Sequence, residues 1–163
     1  MKKILFSLLI LVLNVNIITA QKADSILNKA VMLIDKGELV EAENTIKKAI
    51  SEGIDTLPIH YELAWIYYIE KDYKNAIKTL EPLCDRKDVT PDIYQLLGNA
   101  YDEKGQFNNA ITIYDKGLKK FPGAGCLYLE KGNISYKSNR YEDAFFYYEK
   151  GIEIEPEYAS NYY

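Results

Sequence analysis

The stretch that decides the fold is Pro91–Ala124, which reads PDIYQLLGNAYDEKGQFNNAITIYDKGLKKFPGA. Its first half carries apolar and small residues at the spacing i, i+3, i+4 and i+7, which forms one face of an α-helix. These residues are Tyr94, Leu97, Gly98 and Tyr101. Gly105 interrupts the pattern, and a second amphipathic run begins at Phe107 and stops at Pro122. The stretch therefore predicts a helix, a short turn and a second helix in succession.

The same residue types recur when the sequence is shifted by the length of this stretch in either direction. The position of Ala110 holds alanine in every unit, and the position of Gly98 holds only glycine or alanine. Small residues allow two helices to approach closely, and large apolar residues fill the space between neighbouring units. The sequence thus predicts four tandem repeats and the start of a fifth, with no insertions. Their ranges are 23–56, 57–90, 91–124, 125–158 and, for the incomplete fifth, 159–163.

The order of residues within each unit resembles the tetratricopeptide repeat, whose period is about 34 residues. An aromatic residue, Leu97-Gly98 and Tyr101 come first, then Ala110 and an aromatic residue four positions later, and then Pro122. The resemblance extends over the whole chain from Ala23 onward. It implies an all-α fold, a right-handed α-solenoid of four tandem helix-turn-helix repeats. One unit cannot bury its apolar face alone, so the repeats must stack.

Residues 1–20 do not follow this pattern. A short positive segment, Met1–Lys3, precedes an apolar run that begins at Ile4, and Ile18-Thr19-Ala20 is a plausible cleavage site. We therefore expect residues 1–20 to be a signal peptide that is cleaved near Ala20. The mature chain, 21–163, would be exported to the periplasm or secreted. The alternative is a retained membrane anchor, for which the apolar run is short.

Charge and composition argue against several functions. Without Lys2 and Lys3, 18 basic residues stand against 24 acidic ones, a net charge of −6. Nucleic acid binding requires the opposite balance. The single histidine, His60, lies on the packing face of a predicted helix, where a buried or partly buried role is expected. Cys84 and Cys126 lie in different units, too far apart to be expected to pair. We expect no enzyme, no cofactor, no metal and no nucleic acid partner.

The resemblance also implies a binding surface. In this family the first helices of successive repeats line a concave face that binds an extended peptide or a partner helix. In the second repeat this face would carry an aromatic stripe of Tyr61, Trp65 and Tyr68. The corresponding positions in the third and fourth repeats are Asp92, Gln95, Asn99, Asp102, Cys126, Leu129, Asn133 and Tyr136.

Within that face, Asn99 and Asn133 are one repeat length apart and should stack in register. An asparagine amide both donates and accepts hydrogen bonds, which suits recognition of a peptide backbone. The alternative is that the aromatic stripe packs against neighbouring repeats and that the asparagines are ordinary polar surface. One subgroup of the family holds a partner's C-terminal carboxylate with Lys and Arg, but the matching positions here are not basic. They are Leu27, Val31, Glu62, Asp92 and Leu96.

The sequence therefore predicts an exported, non-enzymatic protein–protein interaction module, an adaptor or assembly factor that serves as a scaffold. The alternative is the exported sensory or input region of a larger signalling protein, present as a truncated fragment. The final helix, Tyr141–Ile154, would expose apolar residues such as Phe145. Because a solenoid needs a polar cap at each end, we expect self-association or further repeats at that end.

Overall fold

The computed structural model describes the backbone of residues 2–156 and the side chains of residues 19–156. That part of the chain is all-helical and contains no strand, so the predicted all-α fold class is confirmed. The predicted start of a fifth repeat at 159–163 lies outside the described residues. The helices are α1 (Lys2–Asp35), α2 (Leu39–Ser51), α3 (Leu57–Ile69), α4 (Tyr73–Leu80), α5 (Pro91–Glu103), α6 (Phe107–Lys120), α7 (Gly125–Lys137) and α8 (Tyr141–Ile154).

The chain divides into two compact units, Met1–Ile66 and Tyr67–Tyr163. In the first, α1 packs against α2, and Ala30, Ala42 and Ile46 are fully buried. In the second, each helix from α4 to α8 packs against the next, and α5 also contacts α7. Within the described residues, no helix combines the length and the apolar character that crossing a membrane requires.

The periodicity of the sequence predicts helices near 24–36, 39–52, 57–71, 73–86, 91–104, 107–120, 125–138 and 141–154. Nearly all observed helix ends lie within two residues of these bounds, and the two exceptions have different origins. Helix α1 begins at Lys2 rather than near residue 24, so cleavage near Ala20 stays a prediction. Helix α4 ends at Leu80 rather than near residue 86, and a 3-10 segment, Glu81–Asp85, follows it. Pro82 explains this early end, because proline has no N–H to donate and its ring clashes with the carbonyl four residues earlier.

A left-handed residue ends the first helix of every repeat. Gly37, Lys71, Gly105 and Asn139 have φ angles of 76°, 62°, 71° and 58°, and each lies one repeat length from the next. At Gly105, two backbone N–H groups turn back to helix carbonyls, Gly105 to Asp102 at 2.7 Å and Gln106 to Tyr101 at 2.9 Å. This bonding pattern closes a helix at its C-terminus. The period read from side chains is therefore also present in the backbone.

The histidine and both cysteines are at least partly buried. The side chain of His60 is 19% exposed, and its Nε2 lies 2.9 Å from Oδ1 of Asp55, as expected for a partly buried role. Both Cys84 and Cys126 are free thiols. Burial raises the pKa of both thiols, and that of Cys126 reaches about 11.

Candidate functional site

The site is built around a close contact between helices α5 and α6. A Cβ atom on Gly98 would lie 2.5 Å from Cζ of Tyr114 and closer still to Cε1, so only glycine leaves room for the ring. The ring lies across α5 at this point, and its hydroxyl donates a 2.6 Å hydrogen bond to Oδ1 of Asn99. Tyr114 is fully buried, so this bond gives the Asn99 amide a fixed orientation.

The same arrangement recurs one repeat later, between α7 and α8. A Cβ atom on Gly132 would lie 2.5 Å from Cε1 of Tyr148. The hydroxyl of Tyr148 donates a 2.9 Å hydrogen bond to Oδ1 of Asn133. Glycine, asparagine and tyrosine therefore form a unit that is used twice, and it fixes the two asparagines that the sequence singles out.

Glu130 of α7 joins the two asparagines. Its Oε2 accepts a 3.0 Å hydrogen bond from Nδ2 of Asn133, and its Oε1 lies 3.5 Å from Nδ2 of Asn99. The same Oε1 accepts a 3.0 Å bond from Nε2 of Gln95. Each amide thus offers its oxygen to a tyrosine and an N–H to one shared carboxylate, which leaves little freedom for either asparagine to flip.

A cavity of about 220 Å³ lies beside this network within Tyr67–Tyr163. We call it the acidic pocket, because three carboxylates and one ammonium group line it. Its lining residues are Tyr68, Asn99, Asp102, Glu103, Glu130, Asn133, Tyr136, Lys137 and Tyr148. Of the eleven positions that the sequence predicts for the binding face, the structure brings five together here: Tyr68, Asn99, Asp102, Asn133 and Tyr136.

The carboxylates influence the titration of their neighbours. Burial, followed by the charge of Glu103, raises the pKa of Tyr68 to about 12. Burial lowers the pKa of Lys137, but its 2.6 Å bond to Oδ2 of Asp102 outweighs this, so the net shift is upward. Burial also raises the pKa of Tyr148. Near neutral pH the phenols of Tyr68 and Tyr148 are therefore neutral, and Lys137 is charged.

The other predicted positions do not line the pocket, although Gln95 borders it through its hydrogen bond to Glu130. The expectation that Leu129 and Cys126 line a groove is corrected, because they are 8% and 6% exposed. Leu129 packs against Gly151, where a Cβ atom would lie 2.6 Å from its Cδ2. Tyr61 and Trp65 are half-buried and belong to the first unit, Met1–Ile66. Their proposed contact with a ligand stays a prediction.

Sequence reasoning missed Glu103, Glu130, Lys137 and Tyr148. A search for pairs separated by one repeat length plus one position would have found two of them. Gln95 bonds to Glu130, and Asp102 pairs with Lys137, each at this separation on α5 and α7. Tyr148 occupies the same repeat position as Tyr114, which the sequence pattern assigns to helix packing, yet its hydroxyl orients Asn133.

An all-α chain of paired helices with small residues at each crossing is typical of a helical repeat protein that binds other proteins. Tetratricopeptide repeat models match residues 57–86 and 91–119, and another such model matches residues 126–158. Together these segments make up more than half of the chain. The chain belongs to the tetratricopeptide repeat family, whose members are interaction scaffolds. A group of three or more metal-binding side chains is absent from the described residues.

Individual relatives agree with this assignment. The chain is 29% identical, over 86 residues, to the small glutamine-rich tetratricopeptide repeat-containing protein 2 of Mycosarcoma maydis. That match covers 53% of this chain and 24% of the other, so the chain spans about a quarter of the relative's length. A crystal structure of MamA shares the fold with a TM-score of 0.70 and 24% identity, over 85% of this chain and 81% of that one. MamA 41-end from Desulfovibrio magneticus RS-1 has a TM-score of 0.70 at 20% identity, over 83% and 76%.

Proposed function

We propose that this chain is an exported, non-enzymatic adaptor or assembly factor that binds an extended peptide segment of a partner protein along α5 and α7. The observation that carries the proposal is the fixed pair Asn99 and Asn133 on the wall of the acidic pocket. Each amide has two N–H groups and two oxygen lone pairs, and the internal network uses one of each. The second N–H group and the second lone pair of each amide suit the alternating donors and acceptors of a peptide backbone.

The test is site-specific photo-cross-linking in the native cells. Benzoylphenylalanine replaces Tyr136, which is 60% exposed at the pocket, or Phe107, a 41% exposed aromatic residue of α6 that does not line it. We expect a specific cross-linked partner from position 136 and none from position 107. Equal capture at both positions, or no capture at position 136, would contradict peptide binding at this face.

Two features support the remaining parts of the proposal. The high pKa of both thiols leaves little thiolate at neutral pH, so neither is a ready nucleophile. Export is supported by the leader pattern of residues 1–20, and it is tested by the N-terminus of the native protein.

We also propose that the chain self-associates through α8. Phe145 is 63% exposed, whereas Ile77, two repeats earlier in the same position, is 8% exposed. Helix α4, which carries Ile77, packs against α5, and α6 packs against α7 in the same way. The exposed face of α8 therefore carries an apolar residue at the position that the following helix covers on α4. A second copy of the chain is the occupant that we propose.

A further inference from the structure

The acidic pocket has more negative charge than its own residues neutralise. Asp102, Glu103 and Glu130 line it together with one lysine, Lys137. That ammonium lies 2.6 Å from Oδ2 of Asp102, and its side chain is 48% exposed. Glu103 accepts a 3.3 Å hydrogen bond from the hydroxyl of Tyr73. Glu130 accepts its hydrogen bonds from side-chain amides.

One carboxylate oxygen in the pocket lacks a partner. Oδ1 of Asp102 is inaccessible to solvent and makes no hydrogen bond in the described part of the chain. The Asp102 side chain as a whole is 11% exposed. Leaving a buried carboxylate oxygen without a hydrogen bond disfavours the folded chain. Asp102 therefore brings an incompletely satisfied carboxylate to the lining of the pocket, which favours a cationic, hydrogen-bonding partner there.

Three aromatic rings complete the lining. Tyr68, Tyr136 and Tyr148 border the same cavity as the carboxylates. Aromatic faces attract cations, and arginine is found on them more often than lysine. The phenols of Tyr68 and Tyr148 stay neutral at physiological pH, because burial raises the pKa of both, that of Tyr68 to about 12.

The chain already holds one of its own cations in this way. The ammonium of Lys131 lies 2.7 Å from Oδ1 of Asp115 and 4.3 Å from the centre of the Tyr147 ring. The Lys131 side chain is only 11% exposed. A carboxylate and a tyrosine ring are therefore sufficient, in this same unit, to keep a cationic side chain largely out of water.

We propose that the acidic pocket receives an arginine side chain from the partner peptide. This inference rests on the proposed function and names one residue of its ligand. A guanidinium group has five donors in a plane, which can serve Asp102 and Glu130 together, while the tyrosines cover its faces. Pockets for drug-sized molecules measure about 300–1,000 Å³, so 220 Å³ suits a single side chain. Within the chain, the Lys137 ammonium pairs with the Asp102 carboxylate. The arginine of the peptide competes with Lys137 for that carboxylate.

The test begins with a displayed library of random dodecapeptides selected on the full chain. We expect the selected peptides to share an arginine. Its replacement by citrulline, which has nearly the same shape but no charge, should weaken binding at least tenfold. Asp102→Asn and Glu130→Gln should have a similar effect. Glu149→Gln, which removes an exposed carboxylate of α8, is the matched control and should not change the affinity.

Lys137→Gln gives a readout of opposite sign. It removes the competing ammonium, so arginine peptides should bind several-fold more tightly. A structural role for Lys137 alone would weaken binding or leave it unchanged, and thermal melting of each variant would show whether the fold is intact. Selected peptides that bind equally well with citrulline would overturn this inference and leave the proposed function standing. Failure to select any peptide would contradict the proposed function itself.

Discussion

The ring of Tyr114 occupies the space in which a side chain on Gly98 would stand, and its hydroxyl bonds to the neighbouring Asn99 at 2.6 Å. One glycine therefore serves two purposes. It lets α5 and α6 approach closely, and it leaves room for a buried tyrosine to orient a side chain that lines the acidic pocket. Packing and site geometry are linked through this one position.

The first prediction concerns that contact. Gly98→Ala should lower the free energy of unfolding by about 1–3 kcal/mol, because the new methyl group overlaps the Tyr114 ring. Gly123→Ala is the control, since nothing lies within 4 Å of a Cβ atom there. Urea denaturation followed by circular dichroism measures both variants. Equal stability of the two would show that α5 and α6 separate at little cost.

The second prediction separates orientation from packing. Tyr114→Phe keeps the ring but removes the bond to Asn99, so stability should fall by only about 0.5–1.5 kcal/mol. Peptide affinity should fall as well, because the Asn99 amide then loses one of the two hydrogen bonds that fix its orientation. Tyr141→Phe is the control. It removes a comparable 2.8 Å bond from a tyrosine to Asn139, at an exposed turn outside the pocket. Calorimetric titration with a selected peptide compares the two, and unchanged binding by Tyr114→Phe would refute the orienting role.

The helices and the repeat frame were predictable from the sequence because they depend on local period and on glycine, alanine and proline. The exception at α4 shows the limit of that method. Pro82 stands inside an amphipathic run that reads as one helix, and only its backbone geometry ends the α-helix at Leu80. The pair Asn99 and Asn133 was predictable from register. Glu130 was not, because the equivalent position in the third repeat is Leu96, and nothing local distinguishes Glu130 from a solvated carboxylate.

The third prediction concerns the turn after α3. Lys71 adopts a φ of 62°, a left-handed backbone conformation that is strained for a residue with a side chain. Two other repeats have glycine at this position. Lys71→Gly should therefore raise the free energy of unfolding by about 0.5–1 kcal/mol, after the entropic cost of glycine is subtracted. Gly105→Ala, at the equivalent position one repeat later, should lower the free energy of unfolding. Melting temperatures that move in the same direction for both variants would contradict this account.

The fourth prediction concerns export. The protein isolated from its native cells should begin at Gln21, because Ile18-Thr19-Ala20 presents small and apolar residues at a cleavage site. Mass spectrometry of the intact chain measures this directly. Ala20→Lys should block processing, whereas Asp24→Ala, beyond the site, should not. A native chain that retains Met1 would favour the anchor alternative.

The last prediction concerns the exposed face of α8. Tyr141 and Phe145, about one turn apart on α8, are 57% and 63% exposed, and the adjacent Phe146 is 53% exposed. Burying such side chains contributes about 25 cal/mol per Å², so two copies should associate as concentration rises. Light scattering over a wide concentration range should show an increase in mass that Phe145→Ser abolishes. Phe107→Ser removes an exposed aromatic residue from α6 and should leave association unchanged. Hydrogen exchange on α8 should slow on association. A monomer at every concentration, with α8 already protected, would show that this face needs no second copy.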